Sequence, residues 1–433
     1  MLPTPDSVPN SHPEPRAAVL GRFLRGSLGS GVAVGARTAG ALVLGKLLAV
    51  YGGPGGLTML AHFQNLMALF TTLPNDGVHV GLVKYLAPLQ PGSGRYRAWL
   101  GAGVLLNLAA LGVAALALLL VPGPLVGVFG RGAGWVAALL LGLGLLTGHA
   151  LVVSVLLAAG RLRAYVGLTV LLSLLGPVAV GLTLRAGGTV STALLAYLLA
   201  QGATLGPALV VARRAGLLPG LRGRASQPGL RALGRFLLMA LSVLLFSKAV
   251  DFSLREVLIW RFGLGPTDLW QAVAKLSDNY TMVFSALMSS VYYPRLAALS
   301  SRPAERAQLV RAVLALLAPG LAVGLGGLWL LREGLLSLLF EARFAQATFL
   351  LAPQLAADWL KFLTWVLLFL LTAQARVGRY VAVQAASALL LALLLALLLP
   401  RYGLLGAPLA QAVRYGLLLG WCLWYFRRQV GWA

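Results

Sequence analysis

Leucine, alanine, valine and glycine fill apolar runs that recur from residue 27 to residue 426, separated by short stretches that gather arginine, proline and glycine. A run of about 20 apolar residues makes a helix that crosses a hydrocarbon core roughly 30 Å thick. Twelve such runs are present, at 27–50, 57–87, 98–121, 134–159, 164–184, 190–212, 233–255, 269–293, 308–331, 346–375, 379–400 and 404–426. The pattern predicts an all-α polytopic membrane protein.

The longest polar interruption is ARRAGLLPGLRGRASQPGLRALGR, residues 212–235. It divides the expected organisation into a cytoplasmic tail at 1–26, a six-helix lobe at 27–212, a basic linker at 213–232 and a second six-helix lobe at 233–428. An even number of spans returns the chain to its starting side, so both halves enter the membrane in one orientation, as in transporters built of parallel repeats. The Pro-rich stretch before the first span reads as disordered rather than as a signal peptide. No loop is long enough for an extramembrane catalytic domain, which puts function within the membrane.

A formal net charge of +24 would suggest nucleic acid in a soluble protein. With the N-terminus placed in the cytoplasm, 22 lysines and arginines fall on the cytoplasmic side, seven on the opposite side and six inside spans. Read by the positive-inside rule, that asymmetry orients the chain with both termini inside, and it explains most of the charge as orientation and contact with anionic lipid. A nucleic-acid partner is not expected. The single cysteine, Cys422, lies in the last span and the four histidines are scattered. Neither a disulfide framework nor a metal motif results, and no cofactor is expected.

The six basic residues inside spans are Arg37, Lys46, Lys248, Lys275, Lys361 and Arg414, joined by the acids Asp76, Asp251, Asp278 and Asp358. A charge at the centre of a span costs about 2.5 to 3.5 kcal/mol on insertion scales, so these groups are expected in a bundle interior or watery cavity. Lys248 with Asp251, Lys275 with Asp278 and Asp358 with Lys361 stand three residues apart, on one helix face. One reading is mutual neutralisation. The other has a pair open in one conformational state, freeing the Asp for a proton or the Lys for an anion. Asp358 and Lys361 lie deepest in their span, whereas Lys275 stands near the start of its own and is placed to snorkel outward.

Arg37 and Arg414 lie near the midpoints of the first and last spans with no such partner. A guanidinium stays charged and presents a planar fork suited to phosphate. These two are therefore the leading candidates for binding an anionic, phosphorylated substrate, with Lys361, Lys46 and Lys275 beside them. Arg37 and Lys46 are nine residues apart, which puts them about 180° out of phase and about 13.5 Å apart along a straight helix. Lys46, close to the GGPGG loop, is the one expected near the outer interface. Asp76 follows Pro74 in TTLPNDGVHVGLVKY, where a proline kink frees backbone carbonyls beside a carboxylate. It is either a cation or proton site or a packed kink paired to Arg37. Asp358, Asp278, Asp76 and Asp251 form the candidate set for ion coupling, and His79 and His149 read as buried hydrogen-bonding groups.

GKLLAVYGGPGGL after Arg37, VKYLAP, LSDNY with YYPRLAAL, APQLAADWLKF and YGLLGAPLAQA before Arg414 occur in order along residues 27–428. As an ordered set they resemble Wzx-type flippases, the polysaccharide-transporter branch of the multidrug and oligosaccharidyl-lipid exporter superfamily, nearest to the O-antigen and lipid III translocases. The resemblance implies twelve helices in two six-helix lobes around a central cationic cavity (the MATE-like, or MOP, fold). It also implies transfer of an undecaprenyl-pyrophosphate-linked oligosaccharide from the cytoplasmic to the periplasmic leaflet of a bacterial inner membrane, alongside a polysaccharide polymerase and chain-length proteins. Arg37, Lys46, Lys84, Asp278, Asp358 and Lys361 occupy positions where similar sequences carry charge; Lys248, Asp251 and Asp76 do not fit that pattern.

Alternating access is the mechanism both lines suggest. A proton or sodium gradient is the expected energy source, because no GxxxxGK[ST] loop is present. Three rivals stand beside the flippase. A small-molecule exporter of the same superfamily favours an acidic cavity, a lipid II-type flippase usually carries more spans, and a membrane-embedded polymerase or ligase should show a long catalytic loop.

Overall fold

A computed structural model of the protein describes residues 16–120, 126–129, 132–218, 227–299, 302–374 and 376–431. Residues 1–15 of the expected tail, Arg131, and residues 219–226 of the expected linker lie outside the described residues.

Twelve helical rods are present among the described residues. They are α1 (Arg16–Tyr51), α2 (Gly56–Leu86), α3 (Gly94–Leu120), α4 (Ala133–Ala158), α5 (Leu162–Arg185) and α6 (Val190–Arg214), then α7 (Gln227–Phe262), α8 (Leu264–Ala298), α9 (Pro303–Leu330), α10 (Thr348–Ala373), α11 (Val377–Tyr402) and α12 (Gly406–Val430). Hydrocarbon offers no hydrogen-bond partner to a backbone, so each crossing must satisfy its own amides within a helix. Most of the rods are long and apolar enough to cross alone, and one such stretch, Gly378–Val430, holds two of them. The remaining two, α2 and α8, carry more polar side chains. Three boundaries depart most from the sequence reading: α1 starts at Arg16, within the expected tail, and α7 starts at Gln227, within the expected linker, and runs on to Phe262, past Arg255.

Three rods contain a π-helical turn: Leu73–His79 in α2, Leu244–Lys248 in α7 and Met288–Tyr292 in α8. Pro74 stands at the start of the first, where its missing N–H removes one rung of the helical ladder and the chain re-registers by one residue. The expected kink at Pro74 takes this form.

Packing differs between the two ends of the bundle. The distal end, opposite the one carrying Arg16 and Val430, has one continuous apolar cluster. Leu44, Phe63 and Leu198 of the first six rods join Phe252, Trp270, Leu350 and Leu391 of the last six in it. At the proximal end the clusters separate. One gathers Val78, Leu82, Leu100, Val155 and Ala212; the other gathers Phe284, Leu296, Val366, Phe426 and Val430. Leu233 of α7 belongs to the first of these, and α7 packs there against the π turn of α2. The halves are thus one body distally and two proximally, with α7 as the rod shared between them.

Polar contacts reinforce the distal junction. Gly55 is held at φ +96, and a Cβ added there would lie 2.6 Å from Leu264 Cβ, so this turn between α1 and α2 needs glycine both for its backbone and for the approach of α8. Asp268 of α8, only 1% exposed, accepts hydrogen bonds from the N–H of Gly55, the N–H of Thr58 and the Thr58 hydroxyl, each at 2.7 Å. It caps the start of α2 from a different helix, supplying the acceptor that the first amides of a helix lack. Arg343 stands 3.5 Å from the same carboxylate and donates to the carbonyls of Ala49 and Gly53 at 3.0 and 3.1 Å, which tie the end of α1 to the α9–α10 connection. Lys46 adds a bond to the Leu338 carbonyl at 3.1 Å.

Two expectations follow. Asp268→Ala leaves buried amide donors without an acceptor, at about 1 to 3 kcal/mol. Hydrogen–deuterium exchange over residues 55–58 should accelerate about tenfold or more, whereas unchanged exchange removes the cap from the account. Where α1 crosses α5, a Cβ at Gly40 would lie 2.6 Å from the Ser173 carbonyl oxygen. Gly40→Val should therefore lose about 1 to 3 kcal/mol and lower the melting temperature in detergent. Gly35→Val, with open space around it, serves as the control that should melt as wild type does.

Candidate functional site

Halfway along the second six rods the apolar packing stops. Asp278 lies between Leu276 of the distal cluster and Phe284 of the proximal one, Asp358 and Lys361 lie between Leu355 and Phe362, and Arg414 lies between Ala410 and Cys422. These residues, with Asp251 and Arg255 of α7, line a polar cavity of about 320 Å³. Its walls come from α7, α8, α10, α11 and α12, and among the described residues Asn65 of α2 is the one contribution from the first half.

The two guanidiniums in the wall are anchored by neutral acceptors. Arg255 donates from Nε to Gln271 Oε1 at 2.8 Å and from Nη1 to the Ala61 carbonyl at 3.3 Å; its cation lies 5.6 Å from the Trp270 ring centroid. Arg414 donates from Nε to Ser387 Oγ at 2.7 Å and from Nη1 to Gln411 Oε1 at 3.2 Å, and lies 4.9 Å from the Tyr415 ring centroid. Both side chains are buried, yet among the described residues neither forms a salt bridge. A buried, oriented guanidinium that is not closed on a carboxylate keeps donors for an external anion.

Asp358 is arranged in the opposite way. Its Oδ2 accepts from Ser277 Oγ at 2.6 Å, Tyr280 Oη at 2.5 Å and Gln354 Nε2 at 3.2 Å, and its Oδ1 pairs with Lys361 Nζ at 2.5 Å. Lys361 is also bonded to Thr281 Oγ1 at 3.0 Å. Of the three pairs spaced three apart, this is the one that closes as a salt bridge among the described residues. Lys275 donates instead to Gln64 Oε1 of α2 at 3.4 Å, a bond between the halves. Asp251 and Asp278 are solvent-accessible within the bundle, facing the cavity they line.

Arg414, Lys361, Asp358, Asp278 and Asp251 of the sequence-derived candidates therefore share one cavity. Arg37, Lys46, Asp76 and Lys275 do not line it, Lys275 being drawn to Gln64 rather than snorkelling outward. Lys46 belongs to the distal junction, Arg37 is an exposed side chain of α1, and Asp76 is exposed on the π turn of α2, where the charge that bears on it is Lys248 rather than Arg37. The physical reason is that the second half builds the cavity almost alone, whereas α1 and α2 belong to the first. His79 bonds Asn107 at 3.2 Å and His149 bonds Thr204 at 2.8 Å, both as structural polar contacts. Among the aromatics, Tyr280 holds Asp358 and Trp359 donates to the Ala318 carbonyl at 2.9 Å. Trp365 alone of these three lines the cavity.

Sequence reasoning missed Arg255, which it assigned to the outer surface by ending the seventh span at that residue. The spacing of Asp251 and Arg255, four residues apart in VDFSLREVL, was the available signal, since it places both on one helix face. Asp268 gave none, because its partners stand more than 200 positions away in the chain. A further contact between the halves was equally silent. His62 of α2 is stacked on Phe252 at 4.5 Å and Phe129 at 5.4 Å, with Glu256 of α7 at 3.2 Å from its Nε2.

No family model matches the chain. The lipid III flippases of Escherichia coli (strain K12) and Shigella flexneri are each 28% identical over 401 residues, covering 89% of this chain and 93% of theirs. Among solved structures, an inward-facing conformation of a multidrug resistance MATE family transporter of the MOP superfamily superposes with a TM-score of 0.75 at 13% identity, covering 91% of this chain and 94% of that one. The lipid II flippase MurJ in an inward closed conformation gives 0.66 at 12% identity, covering 92% and 87%. This multi-pass membrane protein has the fold of the MATE transporters and resembles the lipid III flippases in sequence along nearly its whole length.

Proposed function

We propose that the protein flips an undecaprenyl-pyrophosphate-linked oligosaccharide across a bacterial inner membrane, from the cytoplasmic to the periplasmic leaflet, in the assembly of a surface polysaccharide. The observation that carries this reading is the pair Arg255 and Arg414. Both are buried at mid-bundle and oriented by neutral acceptors, and among the described residues neither is closed in a salt bridge with the carboxylates that share its cavity, which is large enough to be wet. The likeness to lipid III flippases supports the lipid-linked substrate. On this reading the polar cavity offsets desolvation of the pyrophosphate, and Lys361 joins the two arginines when its pairing with Asp358 loosens.

The proximal end, where the apolar clusters part, faces the cytoplasm in this proposal, with both termini on that side. Substrate enters there while the distal junction of Asp268, Arg343 and the shared apolar cluster keeps the periplasmic side shut. Asp358 is the carboxylate we assign to ion coupling, to a proton or to sodium. Its four bonding partners include Lys361, so occupancy of Asp358 by a cation releases the ammonium toward the anionic substrate. Asp278 and Asp251 lie in the same cavity and are second in line; Asp76 and Arg37, outside it, are assigned no contact with substrate in this state. Hand-over to a polysaccharide polymerase and its chain-length proteins completes the proposed setting.

Reconstituted vesicles with a fluorescent undecaprenyl-pyrophosphate oligosaccharide test the reading. Wild type should move the label between leaflets, and Arg255→Ala and Arg414→Ala should each slow transfer about tenfold or more, the loss expected for a hydrogen bond to a charged group. Export of a cationic dye by wild type with no movement of the labelled lipid would establish the small-molecule exporter instead. Asp358→Asn should still bind the substrate but transfer it at one rate with or without an imposed proton or sodium gradient. Retained acceleration by the gradient would move the coupling site elsewhere.

A further inference from the structure

A second cavity, of about 690 Å³, runs along the outer flank of α7 between it and α11. The two rods meet at the π turn Leu244–Lys248 and leave an open channel beyond it. Its walls reach from Leu245 to Arg261 on α7 and from Ala385 to Pro400 on α11, a length of about 24 Å at 1.5 Å per residue. Ala388, Ala392 and Ala396 set its depth, while Leu389 and Leu393, 73% and 57% exposed, stand at its edge or beyond it. The lining is almost wholly apolar, and it opens to the hydrocarbon in which these helices sit.

Phe246, Val250 and Leu254 line both this groove and the polar cavity. They stand four residues apart, one above the next on α7, so a single apolar stripe is all that separates the two spaces. Asp251 and Arg255 look to one side of it, and Ala249, Ser253 and Val257 to the other. An amphiphile with its anionic head at Arg255 and Arg414 needs an apolar way out for its tail close to that head, since threading hydrocarbon through the charged cavity would strand ionic groups without water.

Given the flippase function proposed above, on which this assignment rests, we infer that the groove between α7 and α11 is the seat of the substrate's polyprenyl chain. The tail leaves the polar cavity past Phe246, at the π turn, and lies along the alanine-lined face of α11 toward the distal leaflet. Head and tail are then held on opposite flanks of one helix, and the tail remains in an apolar environment while the head crosses.

The test uses the full chain in vesicles and two substrates with the same pyrophosphate–glycan head, one on an undecaprenyl tail and one on a farnesyl tail. Ala388→Trp and Ala392→Trp fill the groove; Leu393→Trp, beside it, is the control. The expected result is a loss of about tenfold in undecaprenyl transfer for the groove variants, the scale of lost apolar fit in a pocket. Farnesyl transfer, with far fewer prenyl units in the groove, should fall much less, which also shows that the variants fold, and Leu393→Trp should behave as wild type. A diazirine on the prenyl units nearest the pyrophosphate should label residues 385–400 in wild type and much less in Ala392→Trp. Wild-type rates of undecaprenyl transfer in both groove variants, with labelling elsewhere, would overturn the groove assignment and leave the flippase standing. Equal labelling of the groove by a diazirine phospholipid in the presence of substrate would overturn it as well, by making the groove a general lipid seat. Failure of wild type to transfer either substrate would take down both the function and the groove.

Discussion

The apolar seam that joins the two halves at one end only is the feature on which the rest of the structure depends. Packing of Phe63 and Leu198 with Phe252, Trp270 and Leu350 makes the distal end a single close-packed body, and close-packed bodies resist small continuous deformation. Proximally, Val155 and Phe426 belong to separate cores, so among the described residues no shared apolar core holds the halves together there. Where seam and split meet, at mid-bundle, the apolar packing of the second half is interrupted and the ionic residues collect. A charge in the seam would have to be fully desolvated, and one on the outer face would meet hydrocarbon. The cavity between them is where several charges are accommodated at least cost.

That arrangement assigns different work to ionic groups of similar composition. Asp268 and Arg343 act on backbone: one supplies acceptors to the start of α2, the other donors to carbonyls at the end of α1. Such groups would otherwise be unsatisfied at a helix junction sealed from water. Arg255 bridges the two roles, since it reaches the Ala61 carbonyl across the junction while lining the cavity. Any opening of the distal end must break these bonds together with the apolar contacts. The seam is thereby a two-state element rather than a soft one.

How much of this could be read from the chain depends on the range of the interaction concerned. The rods were legible because hydropathy and run length act locally, and so was the kink at Pro74, where one missing N–H is enough. The limits of α7 were not: ending it at Arg255 treats a charge as an exit to water, whereas Gln271 and the Ala61 carbonyl receive that guanidinium inside. Spacing named three ion pairs, but spacing describes a face and not a contact. Asp358 and Lys361 close because Ser277 and Tyr280 of α8 and Thr281 beside them fix both ends, while Lys275 is drawn to Gln64 across the junction. Arg37 and Arg414 looked alike in depth. Only the tertiary fact that the second half builds the cavity separates them.

The role of α7 follows from its two environments. Its proximal part, through Leu233, belongs to the first half's core, and its distal part lines the cavity of the second half, with the π turn Leu244–Lys248 between them. A π turn carries one residue more than the regular ladder and leaves its carbonyls less tightly engaged, which makes it the place where a continuous helix tolerates a change of direction. If the halves part distally and meet proximally in the opposite state, α7 is the rod that must serve both, and bending at this turn lets it do so without unfolding in hydrocarbon. Phe246, within the turn, lines both the polar cavity and the lipid-facing groove. The same bend that exchanges access between the ends would then shift the wall between head and tail, coupling the conformational cycle to the position of an amphiphilic substrate through a single side chain.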